Sequence, residues 1–183
     1  YREEKGHLVL HFEHAFHGRT GYTLSVTNTV PDKVKYFPKF NWPRVTSPAN
    51  HYPENEETLE HVAKQEHIAI QQAKRYFEIH KDEIACILIE PIQAEGGDRH
   101  FRQEFHKELR KLADTYEALL IYDEVQTGIG LTGKFWAHEH FVEPDIIAFG
   151  KKAQVCGILA GKRIDEVETN CFKVSSRINS TWG

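Results

Sequence analysis

Apolar and polar positions change period several times along the chain. Gly6–Phe12 carries Leu8, Val9, Leu10 and Phe12, a short strand pattern that leads into His14-Ala15-Phe16-His17-Gly18-Arg19. Between Val30 and Glu54, Pro31, Pro38, Pro43, Pro48 and Pro53 break any regular element and predict a surface excursion. From Glu56 to about His80, Leu59, Val62, Ala63, Ile70, Ala73 and Phe77 fall at helical spacings. Glu54, Glu56 and Glu57 near its start suit the positive end of a helix dipole, so a helix is predicted there.

The stretch that follows is more regular. Ile84–Ile89 is a continuous apolar run stopping at Glu90-Pro91, and Leu119–Tyr122 is a second, stopping at Asp123-Glu124. Between them Phe105, Leu109, Leu112, Ala113 and Tyr116 form a helical stripe. Phe135–Phe141 is expected to form a short helix, and Ile146–Phe149 a third strand ending at Gly150-Lys151-Lys152. Strands apolar on both faces and separated by helices indicate an α/β protein with a mostly parallel sheet covered on both sides. Glu90, Asp123 and Lys151 each follow a buried-type strand at its C-terminal end, where such sheets bind ligands. Polar residues also end strands for no functional reason; three in succession with opposite charges weaken that explanation.

Composition narrows the classes. The 183 residues carry 23 Lys+Arg against 27 Asp+Glu, a net charge of −4, which argues against a phosphate-tracking nucleic-acid binder. The longest purely apolar runs, Ala85–Ile89 and Ala118–Tyr122, are far short of the ~20 residues of a membrane-spanning helix. Three cysteines, Cys86, Cys156 and Cys171, show no paired spacing, which suits a reduced, cytoplasmic setting. No methionine is present, and this suggests a piece of a longer chain.

Two motif readings compete with a site at the strand ends. Asp123-Glu124 after four apolar residues resembles the magnesium-holding strand of a phosphate-loop ATPase, and Gly128–Lys134 matches G-x-x-x-x-G-K. Phe135 then stands where Ser or Thr must supply a hydroxyl, and the loop follows the acidic strand instead of preceding it. The 12 histidines include His7, His11, His14 and His17 at spacings of four, three and three, and His138 and His140 around Glu139. None matches a metal-ligand motif, so solvated or packing histidines, and no metal, are expected. A lysine presented by a glycine after one buried strand, with an aspartate ending another, suits aldehyde-cofactor chemistry. The amine forms a Schiff base, and the carboxylate keeps a pyridine nitrogen protonated.

Glu13–Gly21, Glu90–Gly97, Asp123–Gly128 and the run from Pro144-Asp145-Ile146 through Gly150-Lys151 together resemble the class III aminotransferases, pyridoxal-phosphate enzymes of fold type I. The blocks occur in the family's order over essentially the whole chain. The resemblance implies a three-layer α/β/α large domain, with residues 1–183 forming part of the cofactor-binding domain. It places a phosphate-cradling N-terminal segment before Tyr1 and a small C-terminal domain after Gly183. It implies pyridoxal 5′-phosphate as cofactor, with Lys151, rather than Lys152, as Schiff-base lysine and proton shuttle. Asp123 is implied to pair with the pyridine nitrogen, Gln126 to hydrogen-bond the phenolic oxygen, and Phe16 to stack on the ring. Thr181 is implied to reach the cofactor phosphate of a neighbouring subunit in a homodimer.

Arg19 matches the family's substrate-carboxylate arginine, a task suited to its planar fork. Glu95 matches a gating acid that pairs with a distant arginine not found in this chain. Segments 97–102, 150–157 and 179–183 are most similar to members that transfer the ε-amine of L-lysine to 2-oxoglutarate in a ping-pong reaction. Residues 132–140 are also similar to members acting on 4-aminobutyrate. Ala94 departs from the glycine of many members, a difference that matters only if its backbone needs positive φ.

Overall fold

The computed structural model describes residues 5–175. Its strands are β1 (Leu8–Phe12), β2 (Arg44–Val45), β3 (Ile84–Ile89), β4 (Ile92–Gln93), β5 (Arg99–His100), β6 (Leu119–Asp123), β7 (Ile146–Phe149) and β8 (Gly157–Ala160). The helices are α1 (Glu56–Ile79) and α2 (Gln103–Thr115). Six strands form one sheet in the order β2-β1-β3-β6-β7-β8, parallel except for the antiparallel β7–β8 pair; β4 and β5 form a separate hairpin.

Register explains the continuous apolar runs. Leu10 pairs with Ile87, Ile87 with Leu120, Ile89 with Tyr122 and Tyr122 with Ile147, so these side chains share one face. That face, with Ala69, Ala73 and Phe77 of α1 and Phe105, Leu109, Leu112 and Ala113 of α2, forms the buried core. The opposite parity, Leu88, Ile121, Ile146 and Ala148, lines the other face and is only half-buried. Within the core, His106 Nδ1 lies 2.6 Å from the Tyr122 hydroxyl. Complete burial lowers His106 to about 3, so this pair is neutral.

α1 begins where the acidic residues indicate, and its cap is explicit: Asn55 Oδ1 accepts from Thr58 N at 2.9 Å, while Thr58 Oγ1 accepts from Asn55 N at 2.9 Å. Its buried stripe is rotated from the expected one. Val62, Glu66, Ala69, Ala73 and Phe77 face inward, while Leu59 and Ala63 are exposed. Glu66 is tolerated inside because Arg102 Nε donates to it at 2.9 Å.

The short helix expected over 135–141 is instead a single 3₁₀ turn, Ala137–His140. The span between the Gly130 and Gly133 turns and Pro144 is too short to nucleate an α-helix. The buried Glu124 carboxylate holds the turn in place, accepting from Ala137 N at 2.6 Å and His138 N at 2.9 Å. Glu124 is thereby occupied structurally. Gly128, the first glycine of the phosphate-loop motif, is a packing glycine, since a Cβ there would come within 2.8 Å of the Trp136 ring. No α-helix follows that loop among the described residues.

Candidate active site

Parallel strands bring their C-terminal ends to one edge of the sheet, and four of them deliver polar groups there. β1 runs into the Glu13–Gly18 loop, β3 ends at Glu90, β6 ends on Asp123, and Lys151 comes two residues after β7. These segments enclose a cavity of about 130 Å³ lined by Phe16, His17, Gly18, Glu90, Ala94, Glu95, Asp123, Val125, Gln126 and Lys151. Larger cavities of about 390 Å³, beside Arg44 and Arg75, and about 650 Å³, beside Phe77 and Tyr116, lie elsewhere. Chemistry, not size, singles out the smallest: it gathers a carboxylate, an amine, an amide and an aromatic face at the strand ends.

Asp123 is held from two sides. His17 Nδ1 lies 2.8 Å from Oδ2, and Val125 N donates to Oδ1 at 3.1 Å. His17 is almost fully enclosed, and its Nε2 finds no protein partner among the described residues. The Asp123 carboxylate thus has two stabilising donors and keeps room for a third on the cavity side.

Lys151 is exposed, and its amine donates to Gln126 Oε1. Its φ is +37°, unusual for a residue with a Cβ, and such local strain marks sites where geometry is over-determined. Gly150 before it is extended, and a Cβ there would approach Cys156 Sγ at 3.0 Å and Val125 at 3.4 Å. Lys152 points elsewhere: its amine donates to Gln126 O at 2.7 Å and does not line the cavity.

The aromatic wall is Phe16. Lys33, in the turn Pro31–Lys33, places its ammonium 5.3 Å from the Phe16 ring centre and pairs with Glu95. Glu95 therefore has a cation partner within this chain, one that sequence reasoning did not supply. Ala94 adopts no positive φ, so the glycine of other members is not required. Close approach matters at Gly96 instead, where a Cβ would come within 2.1 Å of the His14 carbonyl.

Phe16, Glu95, Asp123, Gln126 and Lys151 are therefore brought together on one cavity. Arg19 is exposed, does not line it, and makes no hydrogen bond or ion pair within the described residues. Thr181 lies outside the described residues. His17, Glu90 and Lys33 were missed as site residues. His17 and Lys33 meet partners 106 and 62 residues away, which no local spacing reveals; Glu90 was legible as a strand end but had no assigned role. No group of three or more His, Cys, Asp or Glu is placed to hold a metal among the described residues. His11, part of the histidine series, is a buried residue held neutral, lowered to about 4 by burial.

A mostly parallel α/β sheet here gathers a lysine, an aspartate and an aromatic ring around one strand-end cavity. The chain belongs to the class III aminotransferases, whose family description, Aminotransferase class-III, matches residues 2–183. It is 55% identical over 179 residues to the L-lysine-epsilon aminotransferase of Mycobacterium bovis, covering 97% of this chain and 39% of that protein. The corresponding enzyme of Streptomyces clavuligerus is 51% identical over 176 residues, covering 96% and 38%. A solved lysine aminotransferase from Mycobacterium tuberculosis superposes with a TM-score of 0.92 at 55% identity, covering 97% of this chain and 40% of that one. The 4-aminobutyrate aminotransferase of Emericella nidulans is more distant, 40% identical over 156 residues, covering 84% and 31%. The chain thus spans about two fifths of the length of the first of these relatives (39%). No described helix is long and apolar enough to cross a membrane.

Proposed function

We propose that the protein is a pyridoxal-phosphate-dependent transaminase that moves the ε-amino group of L-lysine to 2-oxoglutarate, giving L-2-aminoadipate 6-semialdehyde and L-glutamate. The observation that carries the chemistry is the convergence of Phe16, Asp123, Gln126 and Lys151 on one cavity. The preference for lysine rests on the 51–55% identity to proteins named L-lysine-epsilon aminotransferase.

The donor set suits pyridoxal 5′-phosphate. A cavity of about 130 Å³ is narrow beside the roughly 300–1,000 Å³ of drug-sized sites, and fits a single ring against Phe16. When bound, the cofactor supplies an electron sink for charge developing on the substrate carbon. His17 and the Val125 amide hold the Asp123 carboxylate in place, and it is the group that would bond the cofactor's ring nitrogen. Lys151 Nζ would hold the cofactor's aldehyde carbon and move a proton at the reacting carbon. Its exposed position leaves it free to do both. Gln126 Oε1 accepts from that amine, and its NH₂ would bond the cofactor's phenolic oxygen.

Substrate discrimination falls to the rim. Arg19, which makes no ion pair within the described residues, offers its guanidinium for the α-carboxylate of lysine. Glu95 adjusts the same space to a donor whose reacting end lacks a carboxylate and an acceptor that has two, and a single fixed charge cannot suit both. Thr181 reaching a neighbouring subunit's cofactor phosphate in a homodimer completes the proposal.

A second reading, a 4-aminobutyrate transaminase, is favoured only by the 40% identity to the Emericella nidulans enzyme. A donor panel on the full-length protein with 2-oxoglutarate separates them. Glutamate formation with a kcat/KM for L-lysine at least about tenfold above that for 4-aminobutyrate is expected. The reverse preference overturns the lysine assignment.

A further inference from the structure

The loop that carries Phe16 leaves the sheet after β1, and past the Glu13 N bond to Val45 O no strand pairing holds it among the described residues. Its position comes from groups outside it. Gln93 Nε2 donates to Glu13 O at 2.8 Å, Asn28 N to Ala15 O at 2.8 Å, and His17 N to Thr27 Oγ1 at 2.9 Å. The Phe16 amide donates to Glu90 Oε1 at 2.8 Å, and Glu90 is only 4% exposed at the end of β3. Of these bonds, this one acts on the residue whose ring forms the cavity wall.

We propose, on the pyridoxal-phosphate reading of the site, that Glu90 is a positioning residue that fixes the Phe16 ring against the cofactor by clamping the Phe16 amide to the end of β3. The geometry is direct. The peptide nitrogen is bonded to the Cα from which the ring hangs through Cβ, so a shift of the amide moves the ring face. Burial raises Glu90 to about 7, with Asp123 adding to the rise and His17, Phe16 and Ala94 opposing it. The clamp does not need the charge: a carbonyl oxygen accepts from the Phe16 amide in either protonation state, and an amide oxygen does so equally.

The test uses the full-length protein with Glu90→Met, which keeps bulk but removes the acceptor, and Glu90→Gln, which keeps it. Amide hydrogen exchange at Phe16 in the cofactor-free protein reads the clamp itself. Pyridoxal-phosphate affinity in native and Phe16→Ala backgrounds reads its consequence. Glu90→Met is expected to speed Phe16 exchange and weaken cofactor binding by about tenfold each, the loss of one buried bond. In the Phe16→Ala background its effect on binding falls below about twofold, because Glu90 acts through the ring. Glu90→Gln stays within about twofold of the native protein in both readouts, and carries the test alone should Glu90→Met not fold. An unprotected Phe16 amide in Glu90→Gln, or an equal Glu90→Met penalty in both backgrounds, overturns the proposal. Failure of the native protein to bind pyridoxal phosphate would sink the cofactor reading and the proposal's ring-to-cofactor link, while Phe16 exchange would still show whether the clamp exists.

Discussion

On one side of the cavity, the Glu13–Gly18 loop is fixed almost residue by residue from outside. Gln93, Asn28, Glu90 and Thr27 hold Glu13, Ala15, Phe16 and His17, and Thr27 Oγ1 also donates to Gly18 O at 2.6 Å. On the other side, the turn after β7 closes mostly on itself. Ala153 N donates to Gly150 O and Gln154 N to Lys151 O, while Lys151 stays exposed and touches Gln126 only through its amine. The difference follows the chemistry proposed for each side. An aromatic face and an aspartate must hold one geometry throughout, so they sit on pinned backbone. An amine that must leave a bond, carry a proton and return gains from exposure.

The comparison breaks most visibly at Lys151. Lys151→Ala in the full-length protein is expected to lower kcat by at least about 10³–10⁴-fold, measured as glutamate formation, because it removes anchor and proton carrier together. Next is the pinned side. Asp123→Asn removes the charge but keeps the shape, and should lower kcat/KM by about 10²–10³-fold with little change in Tm.

Glu90 gives a stability effect of known sign. Its folded pKa, about 7, lies above the usual 4.5, so the folded protein holds this proton more tightly than the unfolded chain. Stability from this group is full below about 4.5 and declines as pH rises through 7, by about 2–3 kcal/mol. Denaturant titrations from pH 4.5 to 8 should show that decline, flattened in Glu90→Gln. Smaller again is Arg19→Lys, which should raise KM for L-lysine about tenfold while leaving cofactor affinity nearly unchanged. Equal damage to both would place Arg19 at the cofactor instead. The smallest effect is expected at the half-exposed Lys33–Glu95 pair: Lys33→Met should change KM for 2-oxoglutarate by about twofold, an effect that shrinks with added salt.

Much of this arrangement was legible in the sequence, for identifiable reasons. The α/β class followed from apolar runs whose strands turn out to pair in parallel, and Glu90, Asp123 and Lys151 were visible because each interrupts such a run. What could not be read is pairing across the fold. His17 meets Asp123 over 106 residues and Lys33 meets Glu95 over 62, and neither leaves a periodic trace. β8 escaped because four residues, three of them exposed, carry no alternation to detect. The short β2 and the β4–β5 hairpin are two-residue pairings set by neighbouring loops. The rotation of the α1 stripe has the same origin: the Glu66–Arg102 pair let a charged residue occupy a core position that apolar counting had given to Leu59 and Ala63.

On the proposed reading, the amine at the edge of this cavity, and no other, holds the cofactor. Full-length protein incubated with pyridoxal phosphate, reduced with borohydride, digested and sequenced by mass spectrometry tests it directly. A pyridoxyl mass on Lys151 is expected. Modification of Lys152 in its place, or no stable modification of either, would contradict it.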